Sequence, residues 1–112
     1  MKTFISDALL ERLADDLVSQ GWAIADDFLL PAQTRQLASE CRQRDAQGLL
    51  TEAATGRGNA LRIRPTVRGD SIQWLEPGQS PVTDDYLLAM DALRRGLNAS
   101  LYLGLEDYES HF

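Results

Sequence analysis

Apolar side chains near the start of the chain return at every fourth position: Ile5, Leu9, Leu13 and Leu17, with Leu10 beside them. That spacing is one face of a helix, so residues 5–18 are expected to be helical, with Ser6 or Thr3 as the cap. Gly21 should stop the helix, glycine being the usual residue just past a helix end. Trp22, Ala23, Ile24 and Ala25 make a short apolar run bounded by Gly21 and by Asp26-Asp27, and it reads as a strand. Pro31 suits the first turn of a second helix, where its missing N–H costs nothing. Leu37, Ala38 and Cys41 would face inward from that helix, and Gly48 would end it. Residues 48–69 have no helical period and are punctuated by Gly56-Arg57-Gly58-Asn59 and Pro65. They read as a long loop with a short strand near Leu61 and Ile63. Alternation returns at 71–75, placing Ile72 and Trp74 on one face of a strand. Pro77-Gly78 breaks it, and Ser80 or Thr83 opens a third helix with the stripe Tyr86, Met90, Leu93, Leu97 and Leu101. Gly104 would close that helix. Residues 107–112 read as the start of a final strand with no later segment to pair with, an open edge of unpaired backbone groups.

This order of elements is α+β: three helices with short strands, in a single domain or part of one spanning 1–112. A length of 112 residues supports one modest core. With 44% hydrophobic and 25% charged residues, the chain has ordinary globular composition, which argues against disorder. The formal charge of −6 argues against nucleic acid or an anionic membrane as partner, since both need a basic face. No apolar run approaches the roughly 20 residues that span a bilayer. One cysteine, Cys41, rules out an internal disulfide framework and fits a cytoplasmic location. One histidine, His111, leaves a two- or three-histidine metal site incomplete within this chain.

The charge is unevenly spread. Residues 53–69 hold Arg57, Arg62, Arg64 and Arg68 and no acid, a local +4 that leaves −10 for the rest. A loop of about 20 residues inside a compact domain is uncommon and is more often functional than idle. Arg68-Gly69-Asp70 then sets a guanidinium and a carboxylate where loop meets strand, so the two could latch the loop down. The plainer reading is a surface turn with two solvated charges. Thr55-Gly56-Arg57-Gly58-Asn59 is Gly-rich but lacks the Gly-Lys-Ser/Thr ending of a phosphate loop, so a flexible tip is the better reading. Glu109 and His111 alternate onto one strand face, yet two ligands are too few for a dedicated metal site. Cys41 reads as inert core. Asp15-Asp16 and Asp26-Asp27 read as solvated faces, Asp84-Asp85 as helix-start charge, and Trp22 and Trp74 as core anchors. No nucleophile–base pair is visible.

Three motifs in order carry a resemblance. Gly21-Trp22-Ala23-Ile24-Ala25-Asp26-Asp27-Phe28-Leu29 is similar to the opening strand of the prolyl-4-hydroxylase-type 2-oxoglutarate/Fe(II) oxygenases, in the branch of the hypoxia-inducible-factor prolyl hydroxylases and their bacterial relatives. Arg68-Gly69-Asp70-Ser71-Ile72-Gln73-Trp74-Leu75 resembles that branch's Arg-Gly-Asp-x-Ile-x-Trp signature. The helix with Met90-Asp91-Ala92-Leu93, then Leu101-Tyr102-Leu103-Gly104, and then Asp107-Tyr108-Glu109-Ser110-His111-Phe112, are similar to the next helix and strand of bacterial members. The resemblance covers residues 17–112.

The resemblance implies a double-stranded β-helix (jelly roll) for the family. This chain would give its helical support and first strands, with the catalytic half absent. Iron is held in the family by a His-x-Asp…His triad and 2-oxoglutarate by a later Arg and Tyr, none of which matches a residue here. The chain itself would therefore hold no cofactor and be inactive alone, Fe(II) and 2-oxoglutarate belonging to a full-length parent. The parent's partner would be a proline-containing protein substrate. By the same resemblance, a mobile loop at about 49–70 folds over substrate, with Arg57, Arg62, Arg64, Arg68 and Asp70 as loop and anchor charges. Ile72, Trp74 and His111 would line the pocket. The rival expectation is a non-catalytic interaction module that forms a homodimer through exposed strand or helix faces.

Overall fold

A computed structural model describes residues 5–55, 62–63 and 69–112, with residues 54, 55, 62 and 63 described as backbone. Three helices and short antiparallel strand pairs divide into two units. The first comprises Met1–Leu37 and Glu76–Tyr108; the second comprises Ala38–Leu75 and Glu109–Phe112.

In the first unit, α1 spans Asp7–Gln20, and the Ser6 hydroxyl accepts the Leu9 N–H at 3.1 Å as its cap. Gly21 ends it with φ 83° and an N–H bond to the Leu17 carbonyl. The long helix α3, Pro81–Leu101, starts from Ser80, whose hydroxyl accepts the Thr83 N–H at 3.1 Å, and Pro81 takes the first helical position. α1 packs on α3. Leu13 and Ala14 from α1 and Thr83 and Ala89 from α3 are the buried residues of the pair, and the expected stripe from Tyr86 to Leu101 is half-buried beside them. Gly96 makes the close crossing: a Cβ there would lie 2.5 Å from Leu10 Cδ2.

Gly104 does not close α3. Tyr102 does, at φ 55°, with its N–H on the Asn98 carbonyl. Asn98 then holds Leu105 through a reciprocal pair of bonds, 2.7 and 2.8 Å, while Arg94 reaches the Leu105 carbonyl at 3.1 Å. These bonds fix the turn without glycine at the left-handed position.

Residues 22–25 form no strand among the described residues, and Trp22 and Ile24 are 56% and 66% exposed. Apolarity gave them a strand pattern, but no described strand pairs with them, and the Trp22 carbonyl accepts from the Gln20 side-chain amide at 3.1 Å. Trp22 is no core anchor.

The helix α2, Pro31–Ala46, begins in the first unit and continues in the second. Its end is a two-bond glycine motif: Gly48 N–H to Asp45 and Leu49 N–H to Arg44, with Gly48 at φ 75°. Its inward positions are Gln33, Leu37, Glu40, Cys41 and Arg44, while Ala38 is exposed. The inner face is thus more polar than the apolar positions suggested, and Cys41 is only half-buried.

In the second unit the expected long loop contains two further strands. Thr51–Glu52 (β1) pairs antiparallel with Ser71–Ile72 (β4), and Ala54–Thr55 (β2) pairs with Arg62–Ile63 (β3). The final segment has a partner after all: Leu75 N–H bonds Ser110 O at 2.8 Å, and Phe112 N–H bonds Gln73 O at 3.0 Å. Ala53 N–H meets the Asp70 carbonyl, whereas the bonds of Gln73 and Leu75 go to 110–112. Even and odd residues of a strand turn their backbone groups to opposite edges, so residues 70–75 run between β1 and 110–112.

Candidate functional site

The candidate residues that the structure brings together lie on one face of this three-strand group. Side chains alternate along a strand, so Asp70, Ile72 and Trp74 share a face. Gln73 and Phe112 exchange both ladder bonds, which makes Trp74 and His111 the adjacent pair without such bonds. Side chains approach most closely at that kind of pair. The rings accordingly meet edge to face, centroids 5.2 Å apart and planes at 88°. Nδ1 of His111 lies 2.9 Å from the Phe112 carbonyl oxygen. Ile72 is buried, while Trp74 is 49% exposed, so it serves as an accessible aromatic surface and not as a core anchor. Asp70 is exposed, and its carbonyl accepts the N–H of Ala53, the residue after β1.

Of the arginines, Arg62 is seen as backbone in β3, paired with Thr55. Arg57, Arg64 and Arg68, and with them the Arg68–Asp70 latch, lie outside the described residues.

Behind the Trp74–His111 face stands a cluster that sequence reasoning missed. Arg44 is 6% exposed. Its guanidinium meets Glu40 Oε2 at 2.6 Å, donates to Gln73 Oε1 at 3.3 Å and lies 5.0 Å from the centre of the Phe112 ring. The available signal was the i,i+4 order Glu40–Arg44, the favourable orientation on a helix. Nothing in the sequence announced that this pair would be buried.

The first unit holds grooves lined by none of the candidates. One, of about 210 Å³, includes Leu29, Gln33, Leu37, Val82 and Tyr86; another, of about 370 Å³, is lined by Pro77, Asp84, Leu87, Leu88, Asp91 and Tyr108. The Arg94 guanidinium bonded to Asp91 holds that carboxyl below the usual carboxylate range against the opposing effect of burial, and the charges of Arg95 and Arg94 add to it. Arg12, bonded to Asp27 at 2.9 Å, does the same there. Burial, then the Asp91 charge, pushes the Tyr108 hydroxyl up, and that hydroxyl donates to the Leu87 carbonyl at 2.7 Å.

Among the described residues no three His, Cys, Asp or Glu side chains come together to hold a metal, and His111 is the chain's one imidazole. This donor set does not fit a three-donor iron site. These residues can instead stack, orient and hold a strand pair in place. No helix of the described residues is long and apolar enough to cross a membrane.

No protein-family model and no curated protein matches the chain. Among solved structures, a Pseudomonas putida prolyl-4-hydroxylase is similar at 48% sequence identity with a TM-score of 0.80. The match covers 92% of this chain and 53% of that one, so the chain spans about half the length of the enzyme it resembles. Identity at that level together with a common backbone course extends the three-motif resemblance to nearly the whole chain. Over the region it covers, the chain is of the prolyl-4-hydroxylase type.

Proposed function

We propose that this chain is the N-terminal portion of a 2-oxoglutarate/Fe(II)-dependent dioxygenase that hydroxylates proline in a protein substrate. The observation that carries the reading is the 48% identity and 0.80 TM-score to a prolyl-4-hydroxylase. On this reading the three-strand group is the beginning of a jelly roll, and Ile72, Trp74 and His111 line its pocket. Their common face supports that role, because an accessible indole braced by an imidazole gives a rigid wall at small entropic cost. The arginines at 57, 62, 64 and 68 and the Asp70 carboxylate serve the loop that meets substrate, and the +4 of the arginines suits an acidic protein surface. Iron and 2-oxoglutarate would be held by the parent polypeptide outside this chain, which alone is inactive.

The test is succinate release from 2-oxoglutarate with Fe(II) and a proline-containing protein or peptide. The parent polypeptide is expected to turn over and the 112-residue chain is not. A silent parent would sink the hydroxylase reading, and turnover by the isolated chain would sink the support role. Replacing the four arginines by Gln is expected to raise KM for the protein substrate while kcat stays within about twofold, as for charges that act through encounter.

A second reading, a self-associating module without catalysis, draws on the exposure of Val18, Trp22 and Ile24 at the end of α1 and just after it. Sedimentation separates the two: a dimer abolished by Trp22→Ser favours self-association through this surface, and a monomer at all concentrations removes it.

A further inference from the structure

We propose that Arg44 is a positioning residue for the Trp74–His111 pair, acting from the opposite face of the strands. The proposal deepens the reading of Trp74 and His111 as pocket-lining residues and rests on it for its functional meaning. Its geometry stands by itself.

Pleating dictates the arrangement. Gln73 and Phe112 are the bonded pair of the short ladder and point to one face; Trp74 and His111 are the next pair and point to the other. Arg44 touches both members of the first pair, Gln73 through a hydrogen bond and Phe112 through its ring. One planar guanidinium therefore spans the two segments whose register places the indole against the imidazole. Glu40 fixes that guanidinium from one turn earlier on the same helix. The C-terminal glycine motif begins at the Arg44 carbonyl, so the backbone under the side chain is also held.

Stability is a poor reason for this arrangement. A buried ion pair returns little beyond its desolvation, and apolar residues of similar volume often serve as well or better. What an apolar residue cannot supply is a directional fork with a flat face. Arginine binds an amide oxygen in its plane and an aromatic ring above it at once, and lysine cannot. Its contribution here is register and distance: the last three residues are held at the spacing that brings the rings to 5.2 Å.

The single imidazole makes the test direct, since His111 gives the chain's one set of histidine ring signals in a proton–carbon NMR spectrum. Trp74, edge to face with it, displaces those signals, and the displacement is defined by comparison with Trp74→Leu. In Arg44→Met and in Arg44→Lys the Trp74-dependent displacement is expected to be lost, while far-UV circular dichroism keeps its helical signal. Loss in the lysine variant, where charge is retained, assigns the effect to the fork. An undiminished displacement in folded Arg44→Met overturns the proposal, as does full retention in Arg44→Lys. Should Arg44→Met fail to fold, Gln73→Leu decides, because it removes one contact and leaves the Glu40–Arg44 pair intact. A weakened displacement there supports positioning, and an unchanged one overturns it. Hydroxylase activity does not enter this readout, so an inactive parent would refute the proposed function and leave the positioning role standing or falling on the spectrum alone.

Discussion

Tyr102 occupies a backbone conformation that costs most side chains on the order of 1 kcal/mol and costs glycine almost nothing. Its side chain is 92% exposed and returns little packing for that cost. Tyr102→Gly is therefore expected to raise stability by about 1 kcal/mol, read as a higher urea midpoint with an unchanged slope. A lower midpoint would mean that the ring makes a contribution its exposure hides. Tyr108 is the opposite case, half-buried with its hydroxyl spent on the Leu87 carbonyl. Tyr108→Phe should cost about 1 kcal/mol at pH 8. The folded state raises the Tyr108 pKa above its ordinary value of 10.0, so the native chain holds the proton longer than the unfolded one. The contribution of Tyr108 to native stability is then level below about pH 10 and falls as pH rises through the folded value. Phenylalanine has no such limb, and the gap between the two proteins should narrow above pH 10. A gap constant up to pH 11 would remove burial of the hydroxyl as the cause.

The crossing of α1 and α3 turns on Gly96, which ordinary helix propensity would replace by alanine with a gain of about 1 kcal/mol. Leu10 reverses the sign, because a methyl group at 96 would sit 2.5 Å from its Cδ2 and 2.9 Å from its Cδ1. Gly96→Ala is expected to destabilise by about 1 kcal/mol in the native background and to stabilise by a similar amount beside Leu10→Ala. Equal effects in both backgrounds would show that Leu10 simply turns aside. The helices themselves were legible, since fourfold apolar spacing, Ser6, Ser80, Pro31, Gly21 and Gly48 are local signals. Strands were harder to read. Residues 22–25 had the apolar run without a described partner strand, and β1 and β2 had a partner strand without an apolar run. A strand exists through its neighbour, which a local pattern does not contain. Tyr102 escaped for a related reason: Asn98, Arg94 and Leu105 hold its turn from several residues away.

For the chain as a whole, Asp70, Ile72, Trp74 and His111 could be nominated because a signature motif carries them, and alternation then puts them on one face. The Arg44 cluster could not, because its members are spread from residue 40 to residue 112 and only the folded ladder gathers them. Neither group supplies three metal donors, which leads to a prediction for the isolated chain. A ligand bound by the native state raises its stability by about 2.7 kcal/mol when present at a hundred times its Kd. In a domain of about 100 residues that displaces the melting temperature by on the order of 10 °C, well within reach of a dye-based melt. Adding Mn(II) as a redox-stable stand-in for Fe(II), with 2-oxoglutarate, is expected to leave the melting temperature of the 112-residue chain where it was. The parent polypeptide, treated identically, is expected to show a saturable rise that a chelator reverses. Should the short chain show the same rise, removed by His111→Ala, its imidazole would be a working ligand and the assignment of iron to residues outside this chain would have to be abandoned.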